Sequence, residues 1–227
     1  MDESDIRNLL EAVKRGRQTV DSTIDKLRHL PYEDLGFAKV DHHRGLRQGY
    51  AEVVFARGKT PRQVAEIVRA MLRAKSSHNI LVTRANRKMF AAVKPVARAA
   101  KLRAEFHEPS RTITIERTRK VNGKGLILVV TAGTSDIPVG EEALVTARAM
   151  GNRAEAIYDV GVAGLHRLLE HRAKLAEARV IICVAGMEGA LPSVVAGNGV
   201  RAGDRFADEH GLRFEFRRPH GAARHAE

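Results

Sequence analysis

The second half of the sequence alternates between short apolar runs and helical patterns, and this alternation constrains the fold more than any other feature. LILVVTAG, which begins at Leu126, is followed by the helical pattern IPVGEEALVTARAMG, which ends at Gly151. RAEAIYDV and GLHRLLEHRAKLAEA form a second pair, and RVIICVAG starts a third. Because strands joined by helical crossovers run parallel, the pattern predicts an α/β fold with a doubly wound parallel sheet.

The turn after the first of these strands, AGTSD, has the residue types of a phosphate-binding turn. Gly133 permits close backbone approach, Thr134 and Ser135 offer hydroxyl groups, and the start of the following helix presents N–H groups that suit an anion. Asp136 has two interpretations, an N-cap of that helix or an acid–base group. An N-cap is the commoner use of such a residue.

Two more turns stand at the same position relative to their strands. The second follows Asp159 and holds candidates for phosphate or carboxylate binding, namely Gly161, Gly164, His166 and Arg167. The third contains Gly186, Met187, Glu188 and Gly189. Since the carboxyl ends of parallel strands meet at one edge of a sheet, we expect the three turns to line a common ligand cleft.

The first half predicts a separate small α/β domain over residues 1–120. Apolar spacing over residues 4–30 predicts one amphipathic helix or a helix pair. TPRQVAEIVRAMLRA predicts a helix capped by Thr60 with Pro61 in its first turn. NILVTRA predicts a strand, RKMFAAVKPVARAA a helix perturbed at a proline, and RAEFHEPSRTITIERT one or two strands. A turn-rich joint, VNGKGLI, then leads to the second domain, which we place at residues 125–197.

The single cysteine, Cys183, has two interpretations, a nucleophile or a buried strand residue, and its apolar neighbours favour burial. One cysteine cannot form an internal disulfide, so a cytoplasmic, reducing location is expected. The N-terminus is charged from its second residue and lacks a signal-peptide core. No apolar run reaches the roughly 18 residues of a membrane span, so no membrane partner is expected.

The formal net charge of +12 fits either nucleic acid or phosphorylated small molecules as ligands. Aromatic residues make up 4% of the chain and there is no tryptophan, so platforms for base stacking are few. No zinc-finger spacing, aromatic RNA-binding motif or lysine tract is present. Nucleic acid is therefore the less favoured partner.

Three segments of the second half resemble the family of the nickel-pincer cofactor biosynthesis protein LarB, whose C-terminal half is related to PurE-type aminoimidazole ribonucleotide carboxylases. These segments are GTSDIPVGEEA, DVGVAGLHR and VAGMEGALPSVVAG. DHHRGLRQGYAEVVFARGKT is similar to the family's N-terminal motif, and the resemblance covers about residues 30–197. It implies a small N-terminal α/β domain followed by an incomplete PurE-like doubly wound sheet, a flavodoxin-like three-layer αβα arrangement.

The resemblance also implies a reaction. The family carboxylates the pyridinium ring of nicotinic acid adenine dinucleotide at C5 with CO2 or bicarbonate, after a cysteine has added to the ring. It hydrolyses the phosphoanhydride and releases AMP, which leaves pyridinium-3,5-biscarboxylic acid mononucleotide, a precursor of the nickel-pincer nucleotide. Hydrolysis is expected to need Mg2+, and PurE-like relatives suggest a homo-oligomer by analogy.

By the same resemblance, Asp136 and Glu188 are the candidate catalytic residues, and the three turns bind the phosphates and the nucleotide. Three cations of the N-terminal motif either hold the adenylate or pyrophosphate or are surface charge: Arg44, Arg47 and Lys59. Two alternatives stay open. One is a PurE-like purine carboxylase, although EGALPS replaces the histidine-containing Ala-His-Leu-Pro of those enzymes. The other is a basic nucleic-acid-binding or scaffold protein.

Residues 198–227 depart from the family pattern, which continues with a fourth strand and a long helix that carries the nucleophilic cysteine. A shift of the codon boundary by one base lets Ala202 to Arg213 spell Pro-Val-Ile-Ala-Leu-Pro-Thr-Ser-Met-Gly-Tyr-Gly. We therefore hypothesise a frameshift in the coding DNA and a disordered, aberrant tail. On this hypothesis Cys183 is not the family's nucleophile, and carboxylation is impaired.

Overall fold

The computed structural model describes residues 3–28, 32–42, 44–74, 76–186 and 189–197. The predictions for Met187, for Glu188 and for the tail at 198–227 lie outside the described residues. The chain divides into two compact units, the first formed by residues up to 120 and the second by most of the chain from 121 onward.

The first unit is a small mixed α/β structure in the residues described. Its helices are α1 (Glu3–Lys14), α2 (Val20–Arg28), α3 (Arg44–Gln48), α4 (Pro61–Arg73) and α5 (Arg87–Ala99). Its strands are β1 (Glu33–Asp34), β2 (Lys39–Val40), β3 (Val53–Phe55), β4 (Ile80–Thr83), β5 (Ala104–His107) and β6 (Thr112–Ile115). The two alternatives for the N-terminal segment are thereby decided, since α1 and α2 form a helix pair.

Strands of the first unit form a hairpin-like pair and a mixed sheet. β1 pairs antiparallel with β2, and the larger sheet has the order β3-β4-β6-β5, with β3 parallel to β4 and the other pairings antiparallel. Helices α4 and α5 contribute Val64, Val68 and Val93 to the same core as Val82 and Ile113 of the sheet. The predicted cap is confirmed, because the Thr60 side chain accepts from Gln63 N.

The second unit is the predicted parallel α/β sheet in the residues described. Its strands are β7 (Leu126–Thr131), β8 (Arg153–Ile157) and β9 (Ala178–Val184), and its helices are α6 (Ile137–Ala149), α7 (Leu165–Leu169), α8 (Arg172–Glu177) and α9 (Leu191–Gly197). The strand order is β8-β7-β9, and both pairings are parallel. This is the order of the first three strands in a flavodoxin-like sheet.

Helices cover both faces of this sheet, as a doubly wound fold requires. Leu128 and Val130 of β7 share a core cluster with residues of α7, α8 and α9, whereas Val129 packs in a second cluster with Ala143 and Leu144 of α6. Alternate residues of a strand point to opposite faces, so the two clusters lie on the two sides of the sheet. The predicted three-layer αβα arrangement is confirmed for these residues.

One predicted helix is two helices in the structure, so that prediction was wrong. GLHRLLEHRAKLAEA is not a single helix, because α7 ends at Leu169 and α8 begins at Arg172. Leu168 of α7 and Leu175 of α8 are both buried in the core cluster beside β7. Burial of these two leucines, rather than continuity of the helix, sets the path of the chain between β8 and β9.

None of the helices that the structure describes is long and apolar enough to cross a membrane.

Candidate functional site

Hydrogen bonds tie the carboxyl ends of the three parallel strands together. Val160 N donates to Thr131 O at 3.0 Å, and Asp159 N donates to the Thr131 hydroxyl at 3.1 Å. On the other side of β7, Ala132 N donates to Val184 O at 2.9 Å. The three turns that the sequence singled out therefore start from one edge of the sheet.

This edge contains the point at which the chain direction across the sheet reverses. From the central strand β7 the chain passes to β8 on one side, and from β8 it crosses to β9 on the other. The helices after β7 and β9 pack on opposite faces of the sheet, since α6 shares a core cluster with Val129 and α9 shares one with Leu128. Ligands of open α/β sheets bind outside the strand ends at such a point.

Asp136 links the first and third turns at this edge of the sheet. Its Oδ2 accepts from Gly133 N at 2.9 Å, and its Oδ1 accepts from Gly186 N at 3.1 Å. The first bond runs back to the N–H of Gly133, which is the N-cap residue of the 3-10 turn before α6, with Asp136 at the third position after it. The predicted N-cap role of Asp136 is therefore wrong, although its side chain closes this turn. The second bond is a tertiary contact, and it gives both glycine amides an anionic acceptor within the protein.

The hydroxyl residues of the first turn are open to solvent. Thr134 and Ser135 are exposed in a 3-10 turn (Thr134–Asp136) that leads directly into α6. The first N–H groups of a helix have no intrahelical acceptor. With the Gly133 and Gly186 amides occupied by Asp136, the hydroxyls and N–H groups of Thr134 and Ser135 are the donors that this turn can offer to a ligand.

Close backbone approach fixes the second turn against the first. A Cβ built on Gly161 would lie 2.8 Å from Ala132 O, closer than a side chain tolerates. Glycine at 161 thus allows the β8 turn to reach the end of β7. The His166 side chain is exposed, whereas Arg167 is partly buried and its Nη1 donates to Asp159 Oδ2 at 2.6 Å.

A phenol and a carboxylate pair beside the same turn. Tyr158 directly follows β8, and its hydroxyl donates to Glu141 Oε1 in α6. Burial of the phenol, together with the hydrogen bond and the charge of Glu141, raises the pKa of Tyr158 well above its usual value. Tyr158 therefore stays protonated and holds α6 to the end of β8.

Candidates in the N-terminal motif have local partners within the first unit. Arg44 Nε donates to Gln48 Oε1 at 3.0 Å, and its guanidinium lies 5.7 Å from the centroid of the Tyr50 ring. Lys59 Nζ donates to Phe55 O at 2.8 Å. The side chain of Arg47 lies outside the described residues. Their predicted role in binding the nucleotide stays a prediction.

The first unit also has a small, partly open cavity with both polar and apolar walls. Its volume is about 30 Å3, room for one or two waters, and its lining includes Asp41, His42, Glu52, His78 and Arg117. Arg117 donates to the carbonyl oxygens of Met71 and Ala74, at 2.8 and 3.0 Å, and so caps the end of α4. Burial lowers the pKa of Arg117. No local pattern predicted this role for Arg117, because its partners at Met71 and Ala74 lie more than forty positions away in the chain.

Cys183 is 2% exposed and packs in the core cluster beside β7, which confirms its prediction as a buried strand residue.

Within the described residues, no group of three or more histidine, cysteine, aspartate or glutamate side chains could hold a metal ion.

Sequence patterns missed the Asp159–Arg167 ion pair and the role of Thr131. The two charges are eight positions apart and separated by a glycine-containing turn, so no helical spacing predicts their contact. Thr131 was part of an apolar strand, yet its hydroxyl accepts from Asp159 N while the residue is fully buried. A hydroxyl at the end of a buried strand is the one signal that could have indicated this contact.

Comparison with known proteins covers both units. Residues 32–118 match a family model described as the LarB/PurE-like N-terminal domain. An uncharacterized protein of Methanocaldococcus jannaschii is 37% identical to this chain over an alignment of 199 residues, which covers 84% of this chain and 76% of the relative.

Proposed function

The chain belongs to the LarB family, a carboxylase-type enzyme family, and from that premise we propose that it acts on nicotinic acid adenine dinucleotide in the synthesis of pyridinium-3,5-biscarboxylic acid mononucleotide. The full reaction adds a carboxyl group from CO2 or bicarbonate to C5 of the pyridinium ring. It also cleaves the phosphoanhydride with water, so that AMP leaves and the mononucleotide remains.

The observation that carries this proposal is the bond from Gly186 N to Asp136 Oδ1 at 3.1 Å. It brings the first and third turns together at the switch point of a flavodoxin-like sheet, where nucleotides bind in such folds. The site offers a fixed carboxylate in Asp136, exposed hydroxyls in Thr134 and Ser135, and a cation in Arg167. A carboxylate beside phosphate-binding groups suits a ring that must gain a carboxyl group and lose a proton.

In this proposal each group of residues has a separate role. The hydroxyl and N–H groups of Thr134 and Ser135 and the guanidinium of Arg167 bind the phosphates. Asp136, oriented by two backbone N–H groups, takes the ring proton. Gly133, Gly161 and Gly186 permit the close approach of the backbone. Roles for His166, Gly189 and the third-turn residues Met187 and Glu188 follow the resemblance.

Mg2+ is proposed for hydrolysis, where it would neutralise charge on the phosphates. Mg2+ in phosphate sites is commonly held by one or two carboxylates together with substrate phosphates and water. Asp159 of this edge is paired with Arg167, so Asp136 is the carboxylate that would hold the ion, since its oxygens keep further lone pairs beside their two N–H donors. This role belongs to hydrolysis, a step separate from removal of the ring proton.

Cys183 does not fit the nucleophile that the family's carboxylation requires. It is the one cysteine of the sequence, and it is buried within an apolar core cluster. We therefore propose that this chain hydrolyses the dinucleotide but carboxylates it poorly or not at all. The nucleotide sequence around codons 197–202 tests the frameshift hypothesis, which predicts a one-base slip there.

The experiment is to incubate the protein with nicotinic acid adenine dinucleotide, Mg2+ and labelled bicarbonate, and to measure AMP and labelled products. We expect AMP release without label, and label in a pyridinium product once the reading frame is restored by one base. Cys183→Ala is the matched control and should leave AMP release unchanged. No AMP from the chain and no labelled pyridinium after the frame is restored would refute the proposal.

The same assay separates the alternatives. Label in an imidazole ribonucleotide, when that substrate is supplied, would indicate a PurE-like purine carboxylase instead. Affinity for nucleic acid that falls steeply with salt, without any turnover of the dinucleotide, would indicate a nucleic-acid-binding protein.

A further inference from the structure

Arg167 is held in one place by two features of the turn that precedes it. Its Nη1 donates to Asp159 Oδ2 at 2.6 Å. The Nε and Nη2 edge of its guanidinium lies against Gly164, where an added Cβ would come within 2.5 Å of Nε, 2.7 Å of Nη2 and 3.0 Å of Cζ. The carboxylate thus binds one end of the guanidinium, and the missing side chain at 164 leaves room for the other.

Asp159 has an unusual backbone for this purpose. Its φ is +56°, in the left-handed region that only a few per cent of residues other than glycine adopt. Its N–H donates to the buried hydroxyl of Thr131, and the next N–H, of Val160, donates to Thr131 O. These bonds fix the Asp159 backbone to the end of β7 and aim its carboxylate at Arg167.

A contribution to folding stability does not explain why Asp159, Arg167 and Gly164 are arranged in this way. The Asp159 and Arg167 side chains are 45% and 42% exposed, and ion pairs at such exposure contribute little to folding. Gly164 has φ −120°, a value open to any residue, so its backbone does not require glycine. The left-handed backbone of Asp159, its exposed ion pair with Arg167 and the glycine at 164 have one effect in common. Together they fix the orientation of the Arg167 guanidinium.

We propose that Asp159 is a positioning residue, which orients Arg167 to bind the pyrophosphate group of the dinucleotide, and that Gly164 leaves room for that orientation. The identity of the anion rests on the proposed function. Nη1 and Nη2 each carry a second N–H group that points away from Asp159 and Gly164, and these groups are the donors left for an acceptor. An arginine whose orientation is already fixed loses less entropy when it binds.

Inorganic pyrophosphate is the probe, and calorimetry measures its dissociation constant for the full chain. Asp159→Asn is the decisive variant, because asparagine tolerates the left-handed backbone but carries no charge. If Asp159 were only a nearby charge, its removal would tighten pyrophosphate binding by relieving repulsion. If Asp159 positions Arg167, its removal weakens binding, by about three- to tenfold.

Two variants complete the test. Arg167→Gln should weaken pyrophosphate binding about tenfold, and Asp159→Asn should add little once Arg167 is gone, because the first residue acts through the second. Gly164→Ala should weaken binding while the thermal midpoint stays near that of the unaltered protein, since the added methyl group meets only the end of a flexible side chain. Asp159→Gly, which also allows positive φ, should behave like Asp159→Asn.

Tighter or unchanged binding in Asp159→Asn, or the absence of Arg167-dependent pyrophosphate binding in the unaltered chain, would overturn this proposal. The result is independent of turnover. Arg167-dependent binding that Asp159→Asn weakens would support the positioning role even if the proposed function were refuted, that is, if the chain released no AMP and gave no labelled pyridinium after the frame is restored.

Discussion

The Asp136 carboxylate accepts a hydrogen bond from Gly186 N, a residue fifty positions later in the chain. This bond, together with the one from Gly133 N, makes Asp136 a link between two turns that follow the neighbouring strands β7 and β9. With one oxygen Asp136 closes the local turn that begins at Gly133, and with the other it joins that turn to the one after β9. The side chain therefore has a structural role in both turns, although it is not the N-cap that the sequence suggested.

Asp136→Ala should lower the free energy of unfolding by about 2 kcal/mol, because it leaves the Gly133 and Gly186 amides without their charged acceptor. Asp136→Asn keeps one acceptor oxygen and should cost about half as much. Ser135→Ala, at an exposed neighbouring position, should change it by less than about 0.5 kcal/mol. Urea unfolding measures all three, and equal values for Asp136→Ala and Ser135→Ala would contradict the linking role.

Gly161→Ala should destabilise the second unit, since its Cβ would lie 2.8 Å from Ala132 O, a backbone atom that cannot move aside. We expect a loss of about 1–3 kcal/mol. Gly133→Ala is the matched control, because its Cβ would make only ordinary contacts of 3.7 and 3.8 Å and its φ is −126°. Thermal and urea unfolding of the two variants should differ clearly, and a stable Gly161→Ala protein would show that the turns are further apart.

Cys183 should resist thiol reagents in the folded protein, because it is 2% exposed. With a chromogenic disulfide reagent we expect slow reaction in buffer and release of one equivalent in denaturant, since the sequence has one cysteine. Fast reaction of the native protein, at the rate seen in denaturant, would contradict burial and would reopen its interpretation as a nucleophile.

Tyr158 should remain protonated where an ordinary phenol ionises. Burial and the bond to Glu141 raise the pKa of Tyr158. The phenolate absorbance of the unaltered protein and of Tyr158→Phe should therefore be the same at about pH 10–11, because Tyr158 contributes no phenolate in that range. The folded state then binds more protons than the unfolded one, so the stability from this tyrosine is complete below about pH 10 and falls as the pH rises further. Glu141→Gln, which removes the charge, should lower the ionisation pH; an unchanged titration in that variant would exclude Glu141 as a cause.

Thr60→Ala should cost about 1 kcal/mol, since Thr60 Oγ1 accepts from Gln63 N at 3.2 Å and Gln63 Oε1 accepts from Thr60 N at 2.8 Å. Arg62→Ala in the same turn removes only an exposed pair with Glu66 and should cost about 0.5 kcal/mol or less. Denaturant unfolding compares the two. A larger loss for Arg62→Ala would mean that surface charge, and not the cap, stabilises the start of α4.

Local features of the sequence were sufficient for much of the fold. Thr60 and Pro61 predicted the start of α4 because a cap depends only on residues within one turn of the helix. The alternation of apolar runs and helical patterns predicted the parallel sheet, because strands joined by helices run parallel. Burial of Cys183 followed from its apolar neighbours in β9.

The sequence by itself determined most of the helices and strands, which turns carry polar residues, and the family that the motifs resemble, but not the break between α7 and α8. Only the tertiary structure decided which of those polar residues meet. Asp136 reaches Gly186, Asp159 reaches Arg167 and Thr131 supports Asp159 through contacts set by strand order and by close backbone approach at Gly161. Spacing along the chain encodes local geometry, whereas these distances depend on how neighbouring strands align.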